Sequence, residues 1–107
     1  MRSLSARELK AWLDDAARSA PVLLDVREPW EFAIGRIEGS LPMPMHTITS
    51  RLDELAREAP VVAVCQHGAR SLQVGLFLER NGFVEVYNLE GGLEAWSQSV
   101  DPAMPKY

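Results

Sequence analysis

Val61-Val62-Ala63-Val64-Cys65-Gln66-His67-Gly68-Ala69-Arg70-Ser71 runs from an unbroken apolar stretch, through a glycine-bearing turn, into the start of a helix. Five successive apolar residues without polar alternation describe a strand covered on both faces. Helical periodicity over Arg70 to Asn81 follows, with Leu72, Gly75, Leu76 and Glu79 along one side and Asn81-Gly82 as its stop. A buried strand feeding directly into a helix is the repeating unit of a parallel α/β sheet.

The flanking sequence repeats the unit. Ser5-Ala6-Arg7-Glu8 has the form of a capping box, and Leu9, Trp12, Leu13, Ala16 and Ala17 at helical spacing predict a helix over about residues 6–18. Pro21 ends it, and Val22-Leu23-Leu24-Asp25-Val26 is a second buried strand. Pro29 and Gly35 bracket a short helix, and the stretch 39–45 predicts a loop with a short edge strand. Ile48, Leu52 and Leu55 predict a helix over roughly 48–58, stopped by Pro60. Val84-Glu85-Val86-Tyr87 reads as a third strand and Gly92 to Gln98 as a last helix. The expectation is one domain of α/β class, a mainly parallel central sheet with helices on both faces. Its core is expected over about residues 2–98, with an extended, partly mobile tail over 99–107 that holds Pro102 and Pro105.

Composition narrows the function. The chain has 107 residues, with 11 Lys and Arg against 15 Asp and Glu, a net charge of −4. No basic face is available for nucleic acid. No apolar run is long enough to span a bilayer, and the first residues lack a signal peptide's apolar block, so a cytoplasmic monomer is expected. A single cysteine, Cys65, leaves no internal disulfide, and with only His46 and His67 beside it no metal cage or other cofactor is expected.

The loop after the central strand carries the chemistry. A strand–loop–helix junction gathers unpaired backbone N–H groups at one point, and the helix dipole adds partial positive charge. Curled, such a loop forms a concave nest for anions, and the same donors favour a thiolate at its centre. Cys65 is the candidate nucleophile. Gln66, His67, Gly68, Ala69, Arg70 and Ser71 form the candidate substrate-binding loop, Gly68 permitting its tight path and Arg70 adding a planar charged fork. Parallel sheets bind ligands beyond the carboxyl ends of their strands, which brings Asp25 and Arg27 to the same edge as possible pocket support.

These residues resemble the rhodanese family of sulfurtransferases, in particular its small single-domain members. The family's active-site pattern, a cysteine with glycine three residues on and arginine five on, matches Cys65, Gly68 and Arg70. Its first signature resembles Leu24-Asp25-Val26-Arg27-Glu28, Trp30-Glu31-Phe32 and Gly35-Arg36-Ile37-Glu38-Gly39-Ser40, and its second resembles Gly91-Gly92-Leu93-Glu94-Ala95-Trp96. Departures fall at Arg36, Glu38 and Ser40, where the family usually carries histidine, proline and alanine. The resemblance implies that Cys65 takes the outer sulfur of a donor such as thiosulfate and passes it to a thiol or cyanide acceptor, a protein thiol such as thioredoxin included. Two other readings stand beside it. A cysteine phosphatase or arsenate reductase shares the plan, but its loop has five residues between cysteine and arginine where this one has four. A rhodanese-like module that binds or senses without turnover usually loses the cysteine that this chain keeps.

The remaining residues have plainer expectations. Asp25 is expected to cap nearby N–H groups. Arg27 and Glu31, four apart, suit a structural ion pair. Trp30, Phe32 and Trp96 are expected to pack in the core or at its rim. Met43 and Met45 anchor a loop or line the pocket mouth, and the Ser71 hydroxyl is placed to face the loop.

Overall fold

The computed structural model describes residues 1–107. Five strands, β1 (Arg2–Leu4), β2 (Val22–Asp25), β3 (Leu41–Pro42), β4 (Val61–Val64) and β5 (Val86–Leu89), form one sheet in the order β1-β5-β4-β2-β3. Every pairing is parallel. The helices are α1 (Ala6–Asp14), α2 (Pro29–Ile34), α3 (Ile48–Arg51), α4 (Ala69–Arg80) and α5 (Gly92–Ser99).

Because strand side chains alternate between faces, the sheet splits its core in two. Leu23, Val62, Val64, Tyr87 and Leu89 face α1 and α5, meeting Leu9, Trp12, Leu93 and Trp96. Leu24, Val61, Val86 and Cys65 face the other way, onto Ile48, Leu55, Val74, Leu78 and Phe83. The expected α/β class, with helices on both faces, is what the chain forms. β4 is buried along its whole length at the centre of the sheet, so the residue that follows it, Cys65, leaves from a strand paired on both sides.

Several boundaries differ from expectation for local reasons. α1 stops at Asp14 because Asp15 turns out of the helix, and its carboxylate accepts the Ala17 N–H at 3.0 Å, a local bond that competes with the helical ladder. The helix expected over 48–58 is a single turn, α3, between 3-10 turns at Met45–Thr47 and Leu52–Glu54; no side chain caps it, and Thr49 and Ser50 are weak helix formers. β5 lies two residues beyond the expected strand because Val61 pairs with Val86, which leaves Val84 exposed. β1, too short to show a pattern, adds an edge to β5. In α4 the buried side is Ser71, Val74, Gly75 and Leu78, while Leu72 and Leu76 face out. The stripe is rotated because Ser71, just past the loop, must face Cys65.

Candidate active site

The ends of β4 and α5 shape the loop together. Gly92 opens α5 at φ +60°, in the left-handed region, and a Cβ there would lie 2.4 Å from the Gln66 carbonyl oxygen and 2.5 Å from that of Cys65. This close approach lets Leu93 N–H donate to the Cys65 carbonyl (2.9 Å) and Glu94 N–H to the Gln66 carbonyl (3.0 Å). In a trans peptide the N–H points opposite its C=O, so the Gln66 and His67 N–H groups are directed away from α5. The second helix thus turns the loop inside out, carbonyls held and amides free. Gly92→Ala is expected to destabilise the protein by at least about 2 kcal/mol, since both the clash and the φ oppose it. A urea midpoint equal to wild type would contradict that.

Gly68, at φ +102°, completes the turn and is the N-cap of α4. Its N–H donates to Cys65 Sγ at 3.0 Å, and the Ser71 N–H at 3.4 Å. Cys65 is buried, and the Ser71 hydroxyl lies 3.1 Å from its sulfur, facing the loop as expected. Ser71 in turn donates to Asn88 Oδ1 at 2.5 Å, and Asn88 Nδ2 donates to the Gly68 carbonyl at 3.2 Å. The sequence reading missed Asn88, though a polar residue in a fully buried strand is itself a signal that something pairs with it.

The charged groups are connected differently from expectation. Arg27 does not pair with the Glu31 carboxylate four residues on. It is buried against Asp25, with Nη2 to Oδ2 at 2.8 Å and Nε to Oδ1 at 2.9 Å, and meets Glu31 only through a backbone carbonyl at 3.4 Å. Burial works against the Arg27 charge, but the hydrogen bonds it donates to Asp25 and Tyr107 outweigh that and raise its pKa. Asp25 also accepts the Arg27 N–H, the expected capping role.

The Glu31 carboxylate instead takes the Arg70 fork, Nη1 to Oε1 at 2.6 Å and Nη2 to Oε2 at 2.9 Å. Two of Arg70's five N–H groups are thereby used and three remain. Arg70 was expected to add a planar charged fork to the loop, with no partner assigned to it. In fact a carboxylate with 5% exposure balances it, so the loop's pull on an anion rests on backbone N–H groups and the α4 N-terminus as well. The Glu31 pair raises the Arg70 pKa.

Tyr107 ties the two charge pairs together. Its hydroxyl donates to Glu31 Oε2 at 2.5 Å and accepts from Arg27 Nη1 at 3.2 Å, while its ring meets Trp30 edge-on at 5.2 Å. Met104 is buried against the α1–α5 side of the sheet. The tail, expected to be extended, thus packs back through Met104 and Tyr107, and Trp30, 59% exposed beside it, lies at the rim, one of the two expected places for it. Trp96 and Met43 are core residues, Met45 is half-exposed beside Val74, and His67, also exposed, pairs with Glu94 at 2.8 Å.

Glu31 makes the site acid-sensitive. Hydrogen bonds from Arg70 outweigh the opposing effect of burial and, with Tyr107, hold its carboxyl at about 2, well below the ordinary 4.5. A depressed folded-state value stabilises the protein above the unfolded value, and that contribution is lost as pH falls through the folded one. Between about pH 4.5 and 2, wild type is expected to lose roughly 1–2 kcal/mol that Glu31→Gln does not, allowing for Arg70's partial exposure. Parallel denaturation midpoints for the two proteins across that range would contradict it.

The profile of the rhodanese-like domain family matches residues 5–99. The chain belongs to that family. Its rhodanese-like fold agrees with a crystal structure of a rhodanese-like domain protein from Staphylococcus aureus, at a TM-score of 0.83 and 35% identity, covering 90% of this chain and 91% of that one. Among curated relatives, a sulfurtransferase of Allochromatium vinosum is 42% identical over 72% of each chain. The thiosulfate sulfurtransferase GlpE of Pseudomonas aeruginosa is 38% identical over 76% of this chain and 73% of its own. These relatives place the chain in a sulfurtransferase family. No helix is long and apolar enough to cross a membrane.

Proposed function

We propose that the protein is a sulfurtransferase that carries a sulfane sulfur as a persulfide on Cys65. One observation carries the reading: Cys65 sits at the end of the central strand with its sulfur accepting N–H bonds from its own loop, at 3.0 Å from Gly68 and 3.4 Å from Ser71. Donors placed at a sulfur stabilise it as an anion, and the Gln66 and His67 N–H groups that the loop leaves free are available to the outer sulfur of a persulfide. The Cys65 thiolate attacks the outer sulfur of thiosulfate. A new S–S bond forms, the old one breaks, and its electron pair leaves with sulfite. An acceptor nucleophile, cyanide or a thiol, then attacks the outer sulfur and returns Cys65 as thiolate. With no second cysteine in the chain, the sulfur leaves only to an external acceptor.

Arg70 offers its three remaining N–H groups to the anionic end of the donor, held in place by Glu31. Gln66, His67 and Ala69 form the rest of the loop's rim, and Asp25 and Arg27 support it from β2 through Tyr107 and α2. The partners are a thiosulfate-like donor and a cyanide or thiol acceptor, a protein thiol such as thioredoxin included. Steady-state thiocyanate formation, with thiosulfate and cyanide varied together, tests the two-step scheme. Parallel double-reciprocal lines are expected. Intersecting lines would show that both substrates bind before any sulfur moves, and no turnover would favour a binding module.

A further inference from the structure

Cys65, Ser71, Asn88 and Gly68 close a ring of hydrogen bonds inside the protein, with Ser71 at 0% and Asn88 at 7% exposure. Directions around this ring follow from chemistry. The Gly68 carbonyl only accepts, so Asn88 must turn its Nδ2 toward it and its Oδ1 toward Ser71. The Ser71 hydroxyl has one proton, and Asn88 Oδ1 takes it at 2.5 Å. What Ser71 turns toward Cys65 Sγ, 3.1 Å away, is a lone pair.

We propose that Asn88 is a positioning residue that pins the Ser71 hydroxyl as an acceptor toward Cys65, setting the energy of the thiolate. A lone pair accepts from an S–H and repels a sulfur that carries negative charge. Sγ is neutral in the thiol, where S–H donates to Ser71, and again in the persulfide, where the charge has moved to the outer sulfur. Only the bare thiolate, the attacking species, is mismatched. For Ser71 to swing its proton to S⁻, Asn88 Oδ1 would lose its donor in a dry site. The pair thus works against the two N–H donors and leaves the charge on the attacking sulfur less dispersed, which makes it more nucleophilic once formed.

The proposal rests on Cys65 being the nucleophile, and its test reads the sulfur without needing sulfur transfer. Charged groups around Cys65 are Arg70 on α4, Glu31 on α2, the Asp25–Arg27 pair at the end of β2, and the His67–Glu94 pair beside α5. All are kept in the variants below and cancel in the comparison. The readout is the iodoacetamide alkylation rate of Cys65 against pH, in the intact chain.

Ser71→Ala removes the lone pair and is expected to lower the alkylation midpoint. Asn88→Leu frees the Ser71 proton to reach S⁻ and is expected to lower it further, by about one pH unit or tenfold in thiolate fraction. In a Ser71→Ala background, Asn88→Leu is expected to add nothing, because Asn88 acts through that hydroxyl. A midpoint unchanged or raised in Ser71→Ala overturns the proposal, since it would mean the hydroxyl already donates to the thiolate. So does an Asn88→Leu shift that survives without Ser71. If Asn88→Leu fails to fold, the direction of the Ser71→Ala shift decides alone. A protein that shows these shifts yet accepts no sulfur from thiosulfate would leave the proton arrangement standing and overturn only the transfer reading.

Discussion

Cys65→Ser is expected to cut thiocyanate formation from thiosulfate and cyanide at least about thousandfold while leaving the fold intact. The substitution is nearly isosteric, and the serine oxygen still accepts the Gly68 and Ser71 N–H groups that Sγ accepts now. Unfolding midpoints should therefore stay within about 1 kcal/mol of wild type. Chemistry is what is lost, because a hydroxyl is scarcely ionised near neutral pH and oxygen forms no stable counterpart of a persulfide. Residual turnover above a tenth of wild type would mean that another group carries the sulfur. In a chain with one cysteine that would remove the basis of the account.

Arg70→Ala should have two effects, because Arg70 has two partners. Losing a charge-assisted contact with the donor typically costs about 1.5–3 kcal/mol, so KM for thiosulfate is expected to rise at least tenfold. Saturating donor should still load Cys65, since the nest's N–H groups belong to the backbone. The second effect falls on stability. Glu31 would keep the Tyr107 hydroxyl but lose its cation, and a nearly buried carboxylate left unpaired is expected to destabilise the fold by about 2 kcal/mol. Glu31→Gln separates the two, keeping the shape and freeing Arg70. A KM shift in Arg70→Ala that greatly exceeds that of Glu31→Gln identifies donor contact. A lowered melting temperature with unchanged KM would reduce Arg70 to a structural partner of Glu31.

The contrast between what was legible in the sequence and what was not follows from the range of the interactions. The central strand, the loop and α4 could be read because each is decided within a few residues: an apolar run, a glycine, a helical period. The placing of Asp25 beside the end of β4 could be read from topology, since parallel strands end at one edge, and β2 pairs directly with β4. The charge network could not. Four-residue spacing pointed Arg27 at Glu31, yet Glu31 found Arg70, 39 residues away, and Arg27 folded back on Asp25. Local spacing gives two groups the chance to meet, but burial decides which meeting repays the loss of water.

Tyr107 and Asn88 were hidden for related reasons. Tyr107 reaches Glu31 across 76 positions, from a tail without periodicity, and its partners exist only once α2 is in place. Asn88 sits in the strand the sequence placed two residues early, so its burial was not apparent. The helix expected over 48–58 failed differently: its apolar spacing was correct for Ile48 and Leu55, both buried, but uncapped and weakly helical sequence gave only one turn.

Intact mass after incubation with thiosulfate tests the central claim most directly. The account predicts that wild type gains about 32 Da, one sulfur atom, and that cyanide or a thiol removes it, while Cys65→Ser gains nothing. A wild-type protein whose mass stays unchanged at saturating thiosulfate, with Cys65 still open to alkylation, would contradict it.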